Sequence, residues 1–142
     1  VKEDNDIKRI IKYFKDRTEV SALYVFGSSA RGIVTDESDI DIAVLINERK
    51  LDKVNYERLK RVYYAASPSF SLRPVGITIL NTAPVYLKHQ ILKTGTILFD
   101  RNRRLRVRFT ERAITEYLDY KYIEDICLKA VTKRFRRITF GR

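Results

Sequence analysis

The sequence predicts an α/β fold: a small mixed β-sheet with helices packed mainly on one face. Three observations predict it. Ile7, Ile10, Ile11 and Phe14 recur at helical spacing. Segments 22–26, 39–46 and 73–80 are short, apolar and rich in Val and Ile, as strands are. Pro68, Pro84 and Gly95 fall at the ends of the segments with helical character.

The elements follow in order. The four N-terminal apolar residues form one stripe of an amphipathic helix of about three turns. Ala22 to Phe26 is a buried strand ending in Gly27, and Asp39 to Ile46 is a second strand whose Ile/Val face must be covered by helices. Val54, Leu59, Val62, Tyr63 and Ala66 mark a helix that ends before Pro68. Arg73 to Leu80 is a third strand, with Pro74 near its start, where proline is tolerated. Asn81 or Thr82 caps the next helix, with Pro84 in its first turn and Gly95 after its last. Thr96 to Phe99 is a short edge strand. From about Phe109 to Phe135 the chain reads as one long helix, or two broken near Asp119-Tyr120-Lys121. Ile114, Leu118, Tyr122, Ile126 and Ala130 step along it by four.

The 142 residues suggest a single domain, with a core over about 1–100 and a helical extension over about 101–142. No apolar run has the length of a membrane span and no signal peptide is visible, so a cytoplasmic protein is expected. The single cysteine, Cys127, fits a reducing compartment and reads as a small core or interface residue. Net charge is +11, distributed as about −1 over residues 1–50, about +4 over 51–100 and about +8 over 101–142. A solvated face explains the basic excess most simply. An acidic protein surface ranks next as its partner, ahead of nucleic acid, and a membrane is not expected.

The chemistry concentrates in Gly27-Ser28 and Asp39-x-Asp41. Side chains alternate across a strand, so Asp39 and Asp41 share one face while Ile40, Ile42 and Val44 share the other. Two neighbouring carboxylates repel, and either a proton or a cation must relieve them. A hard divalent cation such as Mg²⁺ suits an oxygen-only donor set. The adjoining Gly-Ser turn offers N–H groups and a hydroxyl to a phosphate. The lone histidine, His89, lies on a predicted helix with an exposed side chain expected. Tyr117, Tyr120 and Tyr122 cluster where either core packing or an interface would use them.

Gly27-Ser28, ten intervening residues, then Asp39-x-Asp41 resembles the signature of the nucleotidyltransferase superfamily that includes DNA polymerase beta. Arg31-Gly32, the run 38–45, Leu80-Asn81-Thr82-Ala83-Pro84 and Ile91-Leu92-Lys93-Thr94-Gly95 look like the minimal nucleotidyltransferases of prokaryotes. The tail from Arg106 through Asp119 is similar to their antitoxin branch, which is paired with HEPN-domain ribonuclease toxins. The resemblance implies that Asp39 and Asp41 are catalytic and hold Mg²⁺, and that Gly27, Ser28 and Arg31 bind the triphosphate of ATP. It further implies transfer of AMP to a tyrosine hydroxyl of the toxin within a hetero-oligomer.

One departure stands out. Active relatives carry a third carboxylate on the next core strand, expected at Gly76 and common also at Ile79. No Asp or Glu occurs between Glu57 and Asp100. Losing a general base typically costs about 10²–10⁴ in rate. A slow enzyme, a carboxylate donated by the partner, or an antitoxin that neutralises by binding alone are the resulting alternatives. A nucleotidyltransferase for RNA or a small molecule ranks lower, since no second domain is evident to hold such a substrate.

Overall fold

The computed structural model describes residues 2–27 and 39–139. Helix α1 (Lys2–Lys15) leads into strand β1 (Val20–Phe26), followed by β2 (Ile40–Ile46) and helix α2 (Tyr56–Ala66). Strand β3 (Val75–Ile79), helix α3 (Val85–Thr94), strand β4 (Thr96–Asp100) and the long helix α4 (Arg103–Thr139) complete it. The strands form one sheet in the order β3-β2-β1-β4. β1 runs antiparallel to both β2 and β4, while β2 and β3 are parallel, so the sheet is mixed and β4 is an edge, as expected.

The strands divide their side chains between two cores. Ile40, Ile42, Val44 and Ile46 join Val75, Ile77 and Ile79 in the larger core, beneath Ile10 and Phe14 of α1 and Tyr63 of α2. Ala22, Tyr24, Ala43 and Leu45 face the opposite side, where Ile91 of α3 and Leu105 and Phe109 of α4 meet them. Two helices therefore cover each face, α1 and α2 on one and α3 and α4 on the other, so the second face is covered more fully than the sequence suggested. α4 achieves this by starting six residues earlier than expected, at Arg103. The Asn102 side chain caps it, its Oδ1 accepting from Leu105 N at 3.1 Å.

Two further expectations are corrected. Asn81 does not cap α3: its Oδ1 accepts from Ile46 N at 2.8 Å and its Nδ2 donates to Ile46 O at 3.0 Å, extending the β2–β3 ladder beyond β3. Pro84 stands immediately before α3, whose start has no side-chain cap. Of the two readings of the last helix, the unbroken one holds: α4 runs through Tyr120. Tyr86 of α3 packs edge-on against Tyr117 and Tyr120 and donates its hydroxyl proton to Glu124 Oε2 at 2.6 Å, clasping the helix there. Beyond this clasp, Ile126, Leu128, Val131 and Phe135 are exposed, and so is Cys127.

Candidate functional site

Asp41 sits in the middle strand pairings at one end of the sheet, opposite Phe26 of β1 and Gly76 of β3. Its parity places it on the face of Ala43 and Leu45, away from the larger core. Asp39 lies just before β2 and is exposed, while Asp41 is half-buried.

Two glycines make room for the Asp41 carboxylate. A Cβ on Gly27 would lie 2.8 Å from Asp41 Oδ2, and one on Gly76 would lie 2.7 Å from Oδ1. Each oxygen thus occupies space that any other residue type would fill. Gly27 also has φ +72°, a left-handed backbone that glycine adopts without steric cost. β1 can therefore end in a turn while leaving the carboxylate its berth.

Burial pushes the Asp41 carboxyl above the ordinary carboxylate range, and the neighbouring Asp39 charge pushes it further the same way. Among the described residues, no ion pair involves either aspartate. The pair is an anionic site that lacks a protein counter-charge within that set. Two carboxylates offer oxygen donors suited to one hard divalent cation.

The register explains what the missing third acid means. Gly76 pairs directly with Asp41, so its position faces the site. Ile79 points the other way, into the larger core, where a carboxylate would be buried among apolar side chains. Asp100 pairs with Ala22, at the opposite end of β1 from Gly27, and is engaged by Arg106 Nε at 2.5 Å. Among the described residues no three acidic, histidine or cysteine side chains come together as a metal centre. Ser28 and Arg31 lie outside the described residues. His89 is half-buried, not exposed: its ring stacks on Tyr117 at 3.6 Å and 5°, as part of the α3–α4 contact.

The basic excess of residues 101–142 includes the run Arg103-Arg104-Leu105-Arg106-Val107-Arg108. The structure separates it: Arg104 and Arg108 join Arg112 and Arg49 around a cleft at the other end of β2. Their spacing of four along α4 was the available signal.

A family model described as polymerase beta nucleotidyltransferase matches residues 8–104, more than half of the chain. The chain belongs to this nucleotidyltransferase family. The match contains the aspartate pair, both cradle glycines and all four strands. The nucleotidyltransferase is also 46% identical over 48 residues to the Putative protein adenylyltransferase MJ1379 of Methanocaldococcus jannaschii, a match covering 31% of this chain. The chain spans about half of that relative's length, 48%.

Solved structures share its fold over most of its length. A toxin–antitoxin structure with AMP-PNP superimposes with a TM-score of 0.68 and 26% identity, covering 89% of this chain and 98% of that one. A tri-AMPylated Shewanella oneidensis HEPN toxin in complex with MNT antitoxin gives a TM-score of 0.64 at 24% identity, covering 93% and 99%. The MntA–HepT toxin–antitoxin gives 0.63 at 24% identity, covering 89% and 97%. No helix among the described residues is long and apolar enough to cross a membrane.

Proposed function

We propose that this nucleotidyltransferase binds Mg-ATP at Asp39 and Asp41 and acts in the cytosol as the antitoxin of a HEPN-domain toxin, transferring AMP to a toxin tyrosine. The observation that carries the reading is the Asp41 carboxylate, seated between Gly27 and Gly76 beside the exposed Asp39, with no cation paired to it among the described residues. The named relatives support the same direction: one structure holds AMP-PNP, one holds an AMPylated toxin, and one relative is named for adenylyl transfer.

In this reading Asp39 and Asp41 hold the cation, which when bound neutralises triphosphate charge. Gly27 keeps the carboxylate's berth open, and Ser28 and Arg31 contact phosphate oxygens as the family resemblance implies. The tyrosine oxygen forms a bond to the α-phosphorus, the bond to the bridging oxygen breaks, and pyrophosphate leaves. The hydroxyl proton has no third carboxylate to receive it among the described residues. It passes to solvent or to a base on the toxin. The exposed apolar side of α4, with Leu118 60% and Ile126 50% exposed, supports contact with a helical partner in a hetero-oligomer.

Gly76 favours a second reading, in which the chain neutralises the toxin by binding alone. Incubation with the cognate HEPN toxin, Mg²⁺ and ATP labelled at the α-phosphate decides between them. Label on the toxin that disappears with Asp39→Asn supports transfer. Loss of ribonuclease activity without label supports binding. Neither label nor neutralisation contradicts both.

A further inference from the structure

A cleft of about 460 Å³ lies between the end of β2, the turn Glu48–Lys50 and the first turns of α4, and neither aspartate of the pair lines it. Leu45, Leu105, Phe109 and Ala113 supply apolar lining. Arg49 stands on the β2 side, and Arg104, Arg108 and Arg112 come from α4. These three arginines are four residues apart, so they share one helix face at intervals of about 6 Å.

Among the described residues, none of the four guanidiniums has a carboxylate within ion-pair distance. The two acids at the cleft are already engaged. Glu116 pairs with Lys88 at 3.5 Å, and Glu48 accepts from the Tyr56 hydroxyl. With Lys88 and Glu116 paired, four guanidiniums face the single carboxylate of Glu48, so the cleft carries an excess of three positive charges that a bound anion would offset. Guanidinium groups match oxyanions as forks of donors, and they match phosphates in particular.

We propose that this cleft binds a chain of phosphoryl groups, either the backbone of a single RNA strand or a free polyphosphate, at a site separate from the aspartate pair. A phosphate chain carries successive charges at short regular intervals, as the line of arginines does. An acidic peptide carries its charges on flexible side chains that must each be ordered. This inference is independent of the nucleotidyl-transfer reading.

The test is fluorescence anisotropy of a labelled oligouridylate with the full chain across a range of salt, with unlabelled tripolyphosphate and polyglutamate as competitors. The arginines are exposed, so their replacement leaves the core intact. The triple variant R104Q/R108Q/R112Q is expected to bind at least about tenfold more weakly and to lower the salt slope by about 2, given about 0.7 per phosphate contact on a single strand. The tail variant K133Q/R134Q/R136Q/R137Q, which loses four positive charges against three, is expected to bind like the unaltered chain. Competition by tripolyphosphate identifies free polyphosphate as a ligand, and resistance to it identifies the strand; both support the site. An unchanged affinity and slope in the triple variant, an equal loss in the tail variant, or displacement of the oligouridylate by polyglutamate at or below any concentration at which tripolyphosphate displaces it would overturn it.

Discussion

Asp41 carries an electrostatic cost in the folded chain that a bound cation would offset. Its carboxyl is raised from 3.8 by burial and by Asp39. The folded state therefore holds the proton to higher pH than the unfolded state does. In the window just above 3.8, stability of the metal-free protein falls as pH rises, and at neutral pH the full cost is present. Asp41→Asn is accordingly expected to stabilise the metal-free chain at pH 7 by roughly 0.5 kcal/mol, a modest value because the group is partly solvated. Urea unfolding at pH 7 and below pH 4 checks this, the gain shrinking at the lower pH. Gly76→Asp tests the opposite side of the cradle. Its Cβ would meet Asp41 Oδ1 at 2.7 Å, so the Asp41 carboxylate must turn, and a third negative charge joins the pair. We expect a loss of about 1–3 kcal/mol in EDTA, with part regained in Mg²⁺, and a transfer rate raised by about 10²-fold or more if the added carboxylate serves as base. Melting temperatures with and without Mg²⁺, and the labelled-ATP assay, read the two effects. Asp41 was legible in the sequence because strand alternation fixes its face, while Asp39 lies just before β2 and its charge reaches Asp41. The crowding at Gly76 was not legible, because it depends on the register between β2 and β3.

At the scale of elements, the strands and the first three helices were readable because their apolar spacing and their breakers agree. The readings that failed were those decided by contacts between elements. Asparagine before a helix reads as a cap, yet Asn81 holds both backbone groups of Ile46, so the hydrogen bonds it makes belong to the sheet. Asn81→Ala strips a buried N–H and C=O of their partner and is expected to cost about 1–3 kcal/mol in urea unfolding, far beyond a lost cap at an exposed helix start. The sequence left open whether α4 breaks near Tyr120; the helix is continuous there, and the ring and hydroxyl of Tyr86 contact it from outside. The exposed stretch of α4 supports a prediction of its own. Leu118→Asp and Ile126→Asp alter solvent-facing positions, so they are expected to change stability by no more than about 0.5 kcal/mol. Both should weaken toxin capture by tenfold or more if this face docks the partner, as size-exclusion co-elution and titration would register.

Across the whole molecule, the two ends of β2 carry opposite charge. The acidic end holds Asp39 and Asp41, and the basic end is ringed by Arg49, Arg104, Arg108 and Arg112. Sequence composition revealed the excess of +11 but could not show where it gathers, since Arg49 and Arg104 meet only through the fold. Nucleotidyl transfer by this chain depends on the acidic end being a cation site that recruits a nucleotide. Calorimetric titration of ATP into the full chain, with Mg²⁺ and with EDTA, tests this most directly. Binding is expected to require Mg²⁺ and to weaken at least about tenfold in both Asp39→Asn and Asp41→Asn while each variant stays folded. ATP affinity that is the same in EDTA, or unchanged in both variants, would contradict it.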